Sequence, residues 1–325
     1  MNAANNSHSS RRKWIAGASA VALAGCARRP VEWAPVSVHR VAEYSESLYD
    51  LFRRIIQEHK LDVAGKNVVL KPNLVEFDQN TVINTHPKVV HAAMEAFRAA
   101  GAAAVRIAEG PGHRRVTLDL ADAAGYFSTV PQFESLFTDL NLDEVTKVEL
   151  KNPQSKLKSL YLPNTVLRCD LLVSLPKLKT HHWAGATLSM KNFFGVVPGG
   201  IYGWPKNVLH WAGIDECIAD LHALFPRTFA IVDGIVGMEG NGPIQGTPKS
   251  AGVIVAGASL PAVDATCCRI MGLDPTRIGY LQLAAGNQLD PRSIPQVGEP
   301  PEAVAGHFSV LPQLEHLRLN GSPAK

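Results

Sequence analysis

Residues 179–195, KTHHWAGATLSMKNFFG, set two lysines, two adjacent histidines and an asparagine around a run of small residues and close on FFG. A packed core has no use for that mixture, because a buried lysine costs several kcal/mol unless it is paired or gives up its proton. The same stretch is nevertheless rich in Ala, Gly, Leu, Met and Phe. Such mixed character marks a half-sheltered polar site, where a desolvated Lys191 acts as base, nucleophile or anion clamp. Elsewhere, Lys71 and Asn73 stand in LKPN, and Glu109, His113 and Arg114 in AEGPGHRR. Lys177, Lys179, His181 and His182 stand in LPKLKTHH, and Asp233 in IVDG with Glu239 and Asn241 beyond it. Lys71, Asn73, Glu109, Lys177, Lys179 and Asn192 are expected to surround the oxygens of a small anion. His113 and His181 are expected to move a proton near neutral pH, beside Lys191. Asp233 and Glu239 offer oxygen ligands to a divalent metal, or orient the cationic groups, and His210 in KNVLHW joins them if the chain folds back.

These groups follow apolar runs, which sets the question of what elements carry them. Residues 45–59 read as an amphipathic helix with Leu48, Leu51, Phe52, Ile55 and Ile56 on one face. NVVLKPN is a short strand, and HPKVVHAAMEAFRAAG is a helix with proline in its first turn and glycine at its end. AAVRIAEG is the next strand, DLLVSLPKLKTH a third, and TFAIVDGIVG and GVIVAG two more, separated by the glycine-rich loop MEGNGPIQGTPKSA. A helix spans about 207–224 before Pro226, and PAVDATCCRIMG and DPTRIGYLQLAAG close the fold as helices. Asp264 in the first of these reads as a carboxylate serving the first turn. The alternation predicts an α/β fold with a mostly parallel sheet flanked by helices and an irregular excursion near 126–165. In such folds ligands bind beyond the carboxyl ends of the strands, where the ionisable groups lie.

A chain of 325 residues with 46% apolar and 19% charged side chains is long enough for one large α/β domain and too apolar for disorder. Arg11, Arg12 and Lys13 precede any acid, and the rest of the chain is balanced in charge, which argues against nucleic acid as a partner. Paired arginines, an uncharged stretch from Trp14 to Gly25 and LAGC at 23–26 resemble a twin-arginine signal with a lipobox. That reading makes 1–25 a signal, 26–44 a linker, 45–300 a single α/β domain and 301–325 a C-terminal extension. It predicts passage through the twin-arginine export machinery and a membrane anchor on lipidated Cys26, at the periplasmic side or the cell surface. Cys169, Cys217, Cys267 and Cys268 form no CxxC pair, so no zinc ribbon or cluster run is written. GNG at 240–242 is too short for a dinucleotide fingerprint, and no Walker loop is present.

Taken together, VVLKPNLV, THPKVVHAAMEAFRAAGA, IAEGPG, LPKLKTHHWAGATLSMKNFFGVVPG, IVDGIVGMEGNGPIQG and LPAVDATCCRIMGLDP resemble the domain of unknown function 362 family over roughly residues 65–285. Many members append a ferredoxin module, which this sequence lacks. The order of GHRRVT, His181, Lys191, Pro198 and His210 is also similar to that of the nickel-pincer lactate racemases. That resemblance implies an assisting histidine at His113, a lysine at Lys191 that anchors a pincer nucleotide, and a nickel ligand at His210, with His181 also matched. The sequence departs from that family in reading GATLSM before the lysine and Lys71-Pro72-Asn73 near the first strand, which leaves the nickel cofactor open.

The expected protein is an exported, lipid-anchored enzyme acting on a small carboxylate or phosphate, by proton or hydride movement beside a carboxylate. Its cofactor is a divalent metal or a pincer-like nucleotide, if it has one. The rival is a periplasmic binding or scaffold protein that holds an anion or metal without catalysis.

Overall fold

The computed structural model describes residues 33–112, 115–286 and 289–319. The stretch read as an export signal, Cys26, His113 and Arg114 lie outside the described residues. The strands are β1 (Val36–Arg40), β2 (Asn67–Pro72), β3 (Ala104–Glu109), β4 (Phe137–Asp139), β5 (Val145–Glu149), β6 (Ser159–Pro163), β7 (Leu171–Leu175), β8 (Lys177–His181), β9 (Gly185–Thr187), β10 (Thr228–Glu239), β11 (Thr247–Gly257) and β12 (Gln296–Gly298). The main sheet runs β12-β1-β11-β10-β7-β2-β3-β4, with β8 and β9 attached to β10, while β5 and β6 form a separate hairpin. The pairs β2–β3, β2–β7, β7–β10 and β3–β4 are parallel. The expected α/β architecture is therefore present, and antiparallel pairing is confined to β11 against β1 and β10 and to the hairpins.

Alternation along the strands feeds two cores. Val68 and Leu70 of β2 point to the side of helices Ser47–Glu58 and Pro87–Ala99, with Phe52, Ile55, Val90 and Phe97. Val69 points to the opposite side, with Phe193, Ile218, Leu221 and Val263 from residues 188–197 and helices Asn207–Leu224 and Leu260–Met271. Lys71 follows Val69 by two residues and so faces this second side. Among the described residues no helix is long and apolar enough to cross a membrane.

Four expectations are corrected. DLLVSLPKLKTH is two strands rather than one, because Pro176 has no N–H to continue a ladder. The break lets β10 pair with β7 at Thr228–Ala230 and with β8 from Asp233 onward. The glycine-rich loop is shorter than expected, since β10 runs to Glu239 and β11 starts at Thr247. Segment 36–40 is strand β1 of the main sheet rather than linker, and Phe308, Leu314 and Leu317 are buried, so among the described residues the compact unit includes β1 and runs past residue 300.

The fourth correction concerns Asp264, which lies in the second turn of its helix and is fully buried. Its carboxylate accepts Ser189 N–H at 2.8 Å, Ser189 Oγ–H at 2.5 Å and Met190 N–H at 3.1 Å. Ser174 Oγ of β7 donates to Ser189 O at 3.0 Å from the other side. The turn that launches the 3-10 helix Lys191–Val196 is thus held between a helix and the sheet. Asp264→Ala would leave two buried backbone N–H donors, of Ser189 and Met190, without an acceptor, with Ser189 Oγ keeping only Leu260 O at 3.4 Å, and is expected to destabilise the protein by about 3 kcal/mol or more. Urea denaturation followed by tryptophan fluorescence measures this, and a loss of under about 1 kcal/mol would mean that the turn holds itself.

Candidate functional site

The exits of β2, β3 and β8, strand β9, the 3-10 helix Lys191–Val196, the start of helix Asn207–Leu224 and the loop after β10 surround one cavity of about 700 Å³. Its wall holds Lys71, Asn73, Glu109, Lys179, His181, Lys191, Asn192 and His210 from the sequence reading. Lys206, Thr187, His182 and Phe194 join them.

The floor is a closed network. Lys71 Nζ donates to Glu109 Oε2 at 2.5 Å, Asn192 Oδ1 at 3.0 Å and Pro72 O at 2.8 Å, which uses all three of its protons. Glu109 also accepts Leu74 N–H and Gly110 N–H, at 3.1 and 2.9 Å. Asn192 donates to Lys71 O and Ser174 Oγ, both at 3.0 Å, and accepts from Asn73 Nδ2 at 3.1 Å. Gly195, the G of FFG, packs directly over this ion pair. A Cβ there would overlap Glu109 Oε1 and Lys71 Nζ, so the position is glycine for space. Burial lowers Lys71, and the Glu109 charge pulls it back up.

Three further lysines on the wall have no acidic partner among the described residues. Lys179 Nζ donates to Asn73 Oδ1 at 2.6 Å, Ile83 O at 2.8 Å and Pro243 O at 3.1 Å. Burial, reinforced by the Lys177 and Lys191 charges, pushes it well below the usual lysine range. Lys206 Nζ donates to Gly110 O at 2.6 Å and Phe194 O at 2.8 Å, tying the β3 exit to the 3-10 helix. Burial brings it down to about 7. Lys191 Nζ makes no hydrogen bond to the described residues and lies 3.7 Å from the centre of the Phe194 ring. Burial, with the Lys71 charge behind it, brings Lys191 down to about 7.

The imidazoles are set by backbone contacts. His181 Nδ1 accepts Trp183 N–H and Ala184 N–H, at 3.1 and 3.2 Å, so the ring proton sits on Nε2. Burial, then the Lys191 charge, holds its pKa well below the usual range, which makes it a neutral donor. His210 has the opposite tautomer. Its Nδ1–H donates to Lys206 O at 3.0 Å, and burial with Lys191 nearby brings it to about 4. His182 Nδ1–H likewise donates to Gly242 O at 2.8 Å. Lys191 and Lys206 are thus brought down to about 7, while His181 and His210 are held below the usual imidazole range.

Two expected site residues lie elsewhere. Lys177 and Asp233 are cross-strand neighbours of β8 and β10, and both are off the cavity wall. Lys177 Nζ spends its protons on Asp233 Oδ2 at 2.6 Å, Tyr44 Oη at 3.1 Å and Val236 O at 3.1 Å. Asp233 also accepts Tyr44 O–H and His86 N–H, both at 2.9 Å. This knot holds the helix start at His86, whose ring stacks on Tyr44 at 3.8 Å, and neither partner has an atom left for a ligand.

The metal set is corrected for the same reason. Glu239 accepts Ser309 N–H at 2.9 Å and pairs with Lys249 at 3.4 Å, away from the cavity, so Asp233, Glu239 and His210 do not meet. Among the described residues no three His, Cys, Asp or Glu side chains gather as a metal site. An amine-anchored nucleotide fits better, since Lys191 and His210 share the wall and both have uncommitted nitrogens.

Sequence reasoning missed Lys206 and Thr187. Lys206 stands in WPKN, which reads as a solvated turn, yet it is 2% exposed with a left-handed φ of 67°. Thr187, 4% exposed, has a hydroxyl with no partner and looks like any strand threonine.

A thylakoid-associated protein of Synechocystis sp. is 29% identical over 223 residues, which are 66% of this chain and 65% of that protein. The chain therefore matches slightly less than two thirds of that relative's length. The lactate racemase apoprotein from Thermoanaerobacterium thermosaccharolyticum gives a TM-score of 0.39 at 16% identity, over 61% of this chain and 50% of that one. The family model described as domain of unknown function (DUF362) matches residues 68–269, from the start of β2 through the helix that carries Asp264. With well over half of its length in that match, the chain belongs to the domain of unknown function 362 family.

Proposed function

We propose that the cavity takes a small carboxylate or phosphate and that Lys191 is the amine that acts on it. The observation that carries this reading is the convergence of Lys179, Lys191 and Lys206 on one cavity with no acid paired to any of them. A bound anion supplies the missing charge, and the dry surroundings strengthen each contact. Titration of Lys191 near 7 favours an enzyme over a passive binder, which would be served by permanent charges. Proton or hydride movement beside the carboxylate is the reaction class that an amine and a neutral imidazole donor support. If an amine-anchored nucleotide is present, it would supply hydride-accepting chemistry, and the intact mass of the purified protein reads it directly.

The N-terminal motifs support export and lipidation of this enzyme, and a relative described as thylakoid-associated is consistent with a place at a membrane. Replacing Arg11 and Arg12 together by lysine is expected to leave precursor in the cytoplasm, and Cys26→Ser to release the protein from the membrane fraction. Fractionation with immunoblotting checks both. Unchanged distribution of both variants would remove the signal reading.

Two measurements test the site. Calorimetric titration at about pH 6.5 with acetate, pyruvate and phosphate is expected to show binding, weakened roughly 10- to 100-fold by Lys191→Gln, the range for losing a hydrogen bond to a charged group. Equal affinities in the variant would take Lys191 out of the site.

The second measurement is the pH dependence of stability. In the unfolded chain Lys191 and Lys206 keep their protons up to about pH 10, whereas in the folded protein both release them near 7. The unfolded state then binds more protons above 7, so stability rises with pH. The window runs from about pH 7.5 to about 8.5, because the Asp264 carboxyl, raised to about 7, acts in the opposite sense while it still holds its proton, and the buried Cys217 thiol, raised to about 11, does so above its usual value of 9.0. In buffer without small anions, the melting temperature is expected to climb across this window. Phosphate should flatten the climb by returning the protons, and a slope indifferent to phosphate would count against an anion at these amines.

A further inference from the structure

Lys191 differs from the other lysines of the cavity in what its nitrogen does. Lys71 and Lys179 each spend three protons on oxygen acceptors and Lys206 spends two, whereas Lys191 spends none. It is only 9% exposed and lies against a phenyl ring, so water does not replace the missing partners fully. Two other polar atoms of the same wall are also unspent. Thr187 Oγ1 is buried without a partner, and His181 Nε2–H is left over once Nδ1 has taken two backbone donors. Thr187 and Lys179 are cross-strand partners in the β8–β9 hairpin, with His181 two residues on from Lys179, so the three belong to one face. An amine, a hydroxyl and a neutral N–H donor, each without a hydrogen-bond partner among the described residues and all on the wall of one cavity of about 700 Å³, are equipped for addition to a carbonyl group.

Resting on the anion-site reading above, we propose that Lys191 forms an imine with a small aldehyde or ketone that carries a carboxylate or phosphate. The Nζ lone pair attacks the carbonyl carbon, and the C=O π electrons move onto oxygen, which takes a proton while Nζ gives one up. The resulting carbinolamine is protonated on its hydroxyl and loses water as the nitrogen lone pair closes the C=N bond, and the iminium so formed gives up its N–H proton, which returns the one taken by the hydroxyl. One carbonyl compound and one amine become one imine and one water, with no oxidant or reductant. Thr187 Oγ1–H and His181 Nε2–H are the donors on this wall for the developing oxyanion, and the anionic group of the substrate favours the protonated forms of Lys179 and Lys206, which then hold it. Burial with a descent to about 7 keeps a large share of Lys191 unprotonated at neutral pH, as the attack requires.

The experiment uses the purified full chain incubated with pyruvate, glyoxylate or pyridoxal 5′-phosphate, followed by borohydride reduction, intact mass and peptide mapping. The expected result is one reduced adduct per chain on Lys191 with at least one probe, suppressed by excess phosphate or acetate. Thr187→Val is expected to slow adduct formation about tenfold while anion affinity changes little, as for one hydrogen bond to a developing charge. Lys191→Arg, whose guanidinium is not a nucleophile, should give no adduct. Phosphate protection on the unaltered protein reads the same site without a variant.

Anion binding without any adduct overturns the imine while leaving the anion site standing. The imine is equally overturned if adducts are scattered over exposed lysines, or if Lys191 already carries a covalent mass as purified. Absence of both binding and adduct overturns the two together.

Discussion

Five lysine amines, Lys71, Lys177, Lys179, Lys191 and Lys206, are withdrawn from water beyond the carboxyl ends of the sheet, and only two carboxylates, Glu109 and Asp233, stand opposite them as ion-pair partners. Burial of an uncompensated ammonium costs several kcal/mol even after the protein relaxes. Each amine must therefore find an anion, spread its charge over carbonyl dipoles or release its proton. The structure uses all three solutions. Lys71 and Lys177 take the carboxylates, Lys179 and Lys206 rest on carbonyls and an amide, and Lys191 is left to titrate. Its descent from 10.5 to about 7 means that the site disfavours the charged form, relative to the same amine in water, by on the order of 5 kcal/mol.

That distribution follows from backbone geometry. Pro176 divides what would be one strand, so β10 meets β7 first and β8 afterwards, and the step places Lys177 against Asp233 while Lys179 continues to the cavity wall. Gly195 lets a loop descend onto the Lys71–Glu109 pair and seal it from solvent. Asp264 and Ser174 grip Ser189 from opposite sides, so the backbone leading to Lys191 does not depend on any ligand for its position. A reactive amine needs that rigidity, because a tether free to swing would carry its nitrogen to the nearest carbonyl and quench it.

The βαβ grain was legible because apolar periodicity is a local signal, as at Leu48, Leu51, Phe52, Ile55 and Ile56, all buried on one helix face. Strand β1 was not legible, since VSVHR gains its meaning only from pairing with β11, more than 200 residues away. In the site, the lysines and asparagines of 179–195 could be read from their conflict with the apolar residues around them. Which lysines are spent could not, because Lys177 and Lys179 look identical in sequence, two residues apart on one strand, and differ only in their neighbours. Lys206 was hidden for the opposite reason, since proline and asparagine around it give the composition of an exposed turn.

The groups that remain free are also bound by electrostatic consistency. The Lys191 charge is among the causes that lower both His181 and His210, so a protonated amine and a protonated imidazole are unfavourable together. An arriving anion reverses part of that penalty. It favours the protonated amines, neutralises their mutual repulsion and leaves the imidazoles neutral, with Nε2–H of His181 and the bare Nε2 of His210 on the same wall. Ligand binding and proton uptake are therefore coupled by the same few atoms. A cavity that holds its proton loosely when empty and firmly when filled is arranged for a substrate that brings its own negative charge.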